Sequence, residues 1–180
     1  HLQVVERATH LASIAVERHQ TAEDLRESER LLRVVLDALP VGVAVVDVSG
    51  TVILSNPASQ RIWSRSLLHT GRERWAETRV WWHATGKRVA SGEWASVRAI
   101  VTGETSVNEV LDIEAFDGTR KIIQNSAVPL RDSHEHITGS VVINEDISAR
   151  ARAERELNDS YNQMRALTGR GFEAADNLGF

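Results

Sequence analysis

Few residues in this chain are of types that do chemistry, and they lie far apart. His134 and His136 form a His-x-His pair with Glu135 between them. On a strand, alternate residues share a face, and two imidazoles so placed could bind one metal. Residues Arg131 to His136 read as a polar loop, however, and there the pair is two solvated histidines. His83, beside Trp82, could ligate a haem iron, and His69 could do so only if its loop folds inward. Five tryptophans could line a pocket for a flat ring such as flavin. The plainer reading has Trp63 and Trp94 filling the core and Trp81 or Trp82 covering a sheet edge. No Gly-rich phosphate loop, Walker motif or nucleophile elbow is present, and no paired carboxylates mark a cleft. An enzyme is not what these residues suggest.

Composition narrows the classes further. With 42% hydrophobic and 26% charged residues in 180, the chain is globular, with room for one ordinary core plus long extensions. A net charge of −4 gives no general electrostatic case for nucleic acid or an anionic membrane. There is no cysteine, which excludes disulfides, thiolate metal sites and cysteinyl flavin attachment but leaves non-covalent flavin open. It also fits a reducing compartment. No apolar run approaches the roughly 20 residues of a membrane span. A cytoplasmic protein is expected. The first residue is His1, not Met, so the sequence is expected to be a piece of a longer chain.

The elements that would position these residues centre on Val41 to Pro57. Two β-branched runs, around Val43, Val45 and Val46 and then Val52, Ile53 and Leu54, flank a Ser49-Gly50 turn. Asn56-Pro57 reads as an N-cap followed by proline at the first helical position, with the helix running to about Trp63. Arg79 to Val89 reads as a small hairpin around Thr85-Gly86, inside a tryptophan-rich stretch, 64–93, that is otherwise hard to assign. Trp94 to Val101 reads as a helix ended by Gly103. Val107 to Phe116 alternates, Asp117-Gly118 turns, Ile122 to Leu130 follows as a strand, and Gly139 to Asn144 is the last one.

Both flanks read as helices. Leu2 to Leu39 holds no Gly or Pro, and Val4, Ala8, Leu11, Ala15, Ala22, Leu25, Leu32, Leu36 and Leu39 trace a seven-residue repeat interrupted at Arg18 and Glu29. Ser148 to Leu167 is likewise free of both, with Ile147, Ala151, Leu157, Tyr161, Met164 and Leu167 as a stripe, and Gly169 and Gly171 are expected to break it. Such stripes suit either packing on the chain's own domain or a dimeric coiled coil.

The central part resembles a PAS domain. The resemblance rests on the hairpin ending in Asn56-Pro57, on Trp94 to Ile100 with Gly103-Glu104-Thr105, on Asp117-Gly118-Thr119, on Asn125 to Leu130, and on Gly139 to Ile143 followed by Glu145-Asp146-Ile147-Ser148. It implies an α+β fold, a five-stranded antiparallel sheet with helices on one side, flanked by the two long helices. The family often has Gly where Glu135 stands. Residues 8–18 are similar to the last helix of a GAF domain, and Leu157 to Gly169 resembles the lead into a kinase dimerisation helix. The implied organisation is a linker helix over 1–30, a PAS sensor over 31–148, a signalling helix over 149–170 and an unstructured tail over 171–180.

What the resemblance implies for function is a sensory module of a bacterial-type histidine kinase in a two-component phosphorelay, acting as a homodimer through the flanking helices on a downstream kinase domain. The phosphoaccepting histidine motif and ATP-binding domain are missing, so no kinase activity is expected of this segment. A ligand-free dimerisation and spacer module, or a PAS module of a cyclase or transcriptional regulator, fits the same residues. The implied pocket lies between the inner sheet face and the helices, lined in part by Val43, Val45, Trp63, Trp94, Ile100, Ile123 and Val141. No cofactor is the leading expectation, with haem or non-covalent flavin behind it. Haem-binding relatives take their axial histidine from the helix that here spans Trp94 to Val101, which has none. No metal site is expected, and His83, His134 and His136 are only weak candidates. The implied signal exit is Asp146, Ile147 and Ser148, with the Asp146 carboxylate near the outgoing helix N-terminus.

Overall fold

The computed structural model describes residues 23–75 and 77–176. Among them, those up to Pro40 and those from Val41 onward form two separate units. The first holds helix α1, residues 23–38, which leaves Leu25, Leu31, Leu32, Val34 and Val35 at least half exposed. It runs across position 30 without a break. The earlier repeat positions and the GAF-like segment 8–18 lie outside the described residues.

The second unit is a sheet with helices packed on its inner face. In chain order its elements are β1 (Gly42–Asp47), β2 (Val52–Ser55), α2 (Pro57–Trp63), α3 (Arg72–Trp75), β3 (Arg79–Trp82), α4 (Ala95–Thr102), β4 (Ser106–Glu114), β5 (Arg120–Arg131), β6 (Ile137–Asp146) and α5 (Ser148–Asp176). The sheet has six strands in the order β2-β1-β6-β5-β4-β3, and every neighbouring pair is antiparallel. This corrects the expected five. The first arm of the hairpin at residues 79–89 does not stand apart: Arg79 to Trp82 pair with Glu114 to Leu111. Without them β4 would present an unpaired edge, which sheets avoid. The hairpin itself closes as read, with Val89 N–H donating to Val80 O at 2.9 Å and Gly86 N–H to Trp82 O at 2.8 Å.

Local chemistry explains the joins. Asn56 caps α2, its Oδ1 accepting from Ser59 N at 3.0 Å. The same oxygen accepts from Val43 N at 2.9 Å, and Nδ2 donates to Val41 O at 2.9 Å. One buried side chain thus ties a helix start to β1. A bulge falls where β1 and β2 shift register: Val45 faces Leu54 while Val46 faces Val52. Ile53 is the extra residue and is exposed. Gly103 ends α4 in the left-handed region, φ 71°, its N–H bonding Ala99 O.

The core lies between the inner face and α2 to α4, around Val46, Val52, Ile62, Trp63, Leu111 and Ile123. α4 sits close to the sheet because small residues meet there: Ala95 and Ala99 pack on Ala127 and Val142. Helix α5 does not stop at Gly169 or Gly171 but continues to Asp176. A helical glycine costs about 1 kcal/mol against alanine, which weakens a helix without ending it. Residues 171–176 are therefore helical where a tail was expected, and 177–180 lie outside the described residues.

Candidate functional site

A cavity of about 380 Å³ opens between the inner sheet face and the helices. Strands β1, β5 and β6 form its floor, contributing Ala44, Val46, Ile123, Asn125, Val142 and Asn144. α4 forms one wall through Trp94, Val97 and Ile100, and Trp63 and Trp75 form another. The three tryptophans make a chain of rings. Trp63 and Trp75 meet edge to face with centroids 6.0 Å apart, and Trp75 and Trp94 lie 5.8 Å apart at 54°. Such pairs hold aromatic walls in fixed geometry.

Of the residues expected to line the pocket, Trp63, Trp94, Ile100 and Ile123 do so. Val43, Val45 and Val141 do not; their neighbours Ala44, Val46 and Val142 take those places. The pairing Val45 with Val141 and Ala44 with Val142 puts the two sets on opposite faces. An error of one residue in phase moves a whole strand's side chains to the other side.

Among the described residues the cavity wall carries no charged one. Its polar side chains among the described residues are those of Ser91, Ser96, Asn125 and Asn144, beside the tryptophans. Asn125 and Asn144 are buried, and Asn125 Nδ2 donates to Asn144 Oδ1 at 2.7 Å. Sequence reading missed this pair, and missed Trp75. The signal was present: Asn125 keeps step with Ile123 and Ala127, and Asn144 with Val142, so each amide sits at an inward position of an apolar alternation.

Two polar clusters hold the walls from outside. Arg98 of α4 donates to Glu104 Oε1 at 3.0 Å and to Ser106 Oγ at 2.7 Å, and it also reaches Glu109 and the Glu93 carbonyl. The loop that contributes Ser91 and Gly92 closes on Glu93, whose carboxylate accepts from Ala90 N at 2.9 Å. That backbone hydrogen bond, with Lys87 nearby, holds the Glu93 carboxyl below the ordinary carboxylate range.

The histidines lie elsewhere. Among the described residues no lining residue is His, Cys, Met or Tyr, so these offer no side-chain ligand to a haem iron and do not fit that group. His69 is exposed. His134 and His136 sit on the loop between β5 and β6, rings 6.2 Å apart, with both backbone N–H groups on Asp132 Oδ1. Glu135 between them has φ 65°, the left-handed geometry that glycine adopts freely. No cluster of three metal-ligating side chains occurs among the described residues. His83 Nδ1 meets Asp112 at 2.9 Å while its Nε2 meets Arg155 of α5 at 3.3 Å. Arg155 can only donate, so Nδ1 carries the hydrogen and donates to Asp112.

Asp146, Ile147 and Ser148, expected as a signal exit, form the junction of β6 and α5 and make different bonds there. Asp146 Oδ1 accepts from Ser148 N, a first-turn amide of α5, at 3.0 Å. Ile147 N–H donates to Ile122 O at 2.9 Å, and Ser148 Oγ accepts from Ile122 N at 2.9 Å. Ser148 thus ties the helix to β5, as does Arg150 Nη2 donating to Gln124 Oε1 at 3.4 Å, and β5 carries Ile123 and Asn125 into the cavity floor.

A family model described as the PAS fold matches residues 36–152, more than half of the sequence, and the chain belongs to that family. Solved structures agree on the fold. The PAS domain of an HTR-like protein from Haloarcula marismortui is 18% identical with a TM-score of 0.50, covering 71% of this chain and 98% of its own. An RNA-binding light-oxygen-voltage receptor gives 16% identity and a TM-score of 0.50 over 74% of this chain and 37% of its own. The PAS domain of BvgS from Bordetella pertussis is 21% identical with a TM-score of 0.48, covering 77% and 98%. No curated protein matches the sequence. No helix among the described residues is long and apolar enough to cross a membrane.

Proposed function

We propose that this chain is the sensory PAS module of a cytoplasmic signalling protein. A small molecule in the cavity biases the start of α5, and α5 carries that bias to a downstream output, a histidine kinase of a two-component phosphorelay. The observation that carries this reading is that one strand, β5, both floors the cavity through Ile123 and Asn125 and holds the first turn of α5 through Ser148. A ligand acting on one end of that connection acts on the other, provided it binds the two arrangements of the exit unequally.

The assembly in this reading is a parallel homodimer. Leu157, Tyr161 and Met164 of α5 are exposed, as are Leu25 and Leu32 of α1, and apolar residues at such spacing are covered by a partner helix in a coiled coil. A GAF-like module precedes α1, and α5 leads into the kinase dimerisation helix. No resident cofactor is needed.

The test uses the purified protein beside Ile100→Trp, which fills the cavity. An absorption spectrum and mass spectrometry of small molecules released on denaturation are compared. A molecule carried by the wild type and absent from Ile100→Trp is the expected result. A molecule retained by both would place the site outside the cavity.

A further inference from the structure

We infer that His83 is a proton-operated latch on α5: with its ring neutral it holds the second turn of the helix to the sheet through Arg155, and protonation lets that turn go. The latch works whether or not the cavity holds a ligand.

The ring is held from the sheet side. His83 directly follows β3, and its backbone N–H donates to Val110 O of β4 at 3.1 Å. Asp112 pairs across from Trp81, two residues before His83, so the two side chains share a sheet face. There Asp112 Oδ1 meets His83 Nδ1 at 2.9 Å, and Arg155 Nη2 meets Nε2 at 3.3 Å.

These two partners make opposite demands on one ring. A carboxylate accepts and a guanidinium only donates. Only the neutral ring with its hydrogen on Nδ1 serves both. A proton added at Nε2 takes up the lone pair that Arg155 uses and sets two cations side by side. The bond to Asp112 survives that change and becomes charge-assisted. The ring therefore stays on β4, and α5 is the side that is released. Histidine is the side chain whose ordinary charge change falls between about pH 5 and 8, so the switch needs no other group.

The surrounding charges are engaged with other partners. Arg79 pairs with Glu114 at 3.0 Å and Lys87 with Glu93 at 3.9 Å. Arg88 donates to Thr78 O, and Arg120 lies over the Trp81 ring. On α5, Arg150 donates to Gln124 and Arg152 to Ser148 O. Asp159, four residues beyond Arg155, is the acid spaced to take up the freed guanidinium. Ser148 and Arg155 are seven residues apart and so lie on one side of the helix. The Ser148 bond to Ile122 involves no titrating group. Opening the latch thus frees α5 from its second turn onward while its start stays on β5.

Hydrogen exchange on the purified protein between about pH 5.5 and 8, corrected for intrinsic rates, tests this. Protection at residues 153–157 should fall about fivefold in the wild type from the upper to the lower pH, the size of shift one exposed bond sustains. Core amides of β5 should keep theirs. His83→Gln removes the titrating ring and should give protection at 153–157 that is the same at both ends of the range. Arg155→Met should sit at the loosened level throughout. A wild type with constant protection across the range would overturn the inference, as would an equal fall in His83→Gln or in Arg155→Met.

Discussion

Asn56 shows how much one side chain can hold. Its amide caps α2 and makes two bonds to β1, all out of solvent. A cap alone is worth about 1 kcal/mol, and a buried group left unpaired adds about 1–3 kcal/mol. Asn56→Ala should therefore lower unfolding free energy in urea by about 2–4 kcal/mol, and a loss below about 1 kcal/mol would mean that the bonds to Val43 and Val41 contribute nothing. Glu135 shows the opposite case. Its left-handed backbone costs a side-chain-bearing residue about 1 kcal/mol or more. Glu135→Gly should raise the urea midpoint slightly despite losing the distant ion pair with Arg131 at 4.0 Å. Glu93 belongs to this scale too. Its carboxyl is held below the usual range by Ala90 N–H, so the bond stabilises the fold above the unfolded-state pKa and is lost as pH falls through the folded one. Glu93→Gln should cost stability at neutral pH, and the difference from wild type should vanish well below about pH 4. Denaturation curves at several pH values check the sign.

At the scale of elements, what was legible in the sequence depended on how far local chemistry decides. The Asn56-Pro57 start of α2, the end of α4 at Gly103 and the turn at Gly118 could be read because cap and turn residues act within a few positions. The phase of β1 and β6 could not. Val43, Val45 and Val46, like Val141 and Val142, make both faces apolar, and only the partner strands decide which face is inside. The pocket was therefore half legible: Trp63, Trp94, Ile100 and Ile123 belong to it, and three valines do not. Arg79 to Trp82 looked like a local hairpin because its partner, Leu111 to Glu114, is far along the chain. The junction of β6 and α5 at Asp146 to Ser148 was legible as a motif but its bonds were not, since the one between Ser148 and Ile122 is long-range. Ser148→Ala should speed amide exchange in the first turn of α5, whereas Asp146→Ala, which removes one exposed bond, should cost about 0.3–1 kcal/mol locally. Equal effects of the two would show that the helix is held by its cap and not by the sheet.

At the scale of the whole molecule, a binding change at the cavity has short protein routes to α5 among the described residues: along β6, which carries Val142 and Asn144 on the floor and runs into the helix, and through β5 by Ser148 and by Arg150 on Gln124, with His83 and Arg155 as a further contact between the sheet edge and that helix. The energies involved, about 1 kcal/mol per bond, are small beside the roughly 5–15 kcal/mol of a folded domain. They are enough to shift a two-state exit about fivefold without unfolding the core. In the proposed homodimer the flanking helices set the assembly: replacing both Leu25 and Leu32 by polar residues should weaken it, read by light scattering over a concentration series. A wild-type protein that stays monomeric at high concentration would remove the coiled-coil account.

The most direct test of the coupling is hydrogen exchange at the start of α5 with the cavity filled from within. Ile100→Trp occupies the cavity without any need to know its ligand. The account predicts a change of about fivefold or more in exchange across residues 148–152 relative to wild type, with β4 and β5 core amides unchanged, and predicts that adding Ser148→Ala abolishes the difference. Identical exchange at residues 148–152 in wild type and in a folded Ile100→Trp protein would contradict it, because the cavity and the exit helix would then be independent.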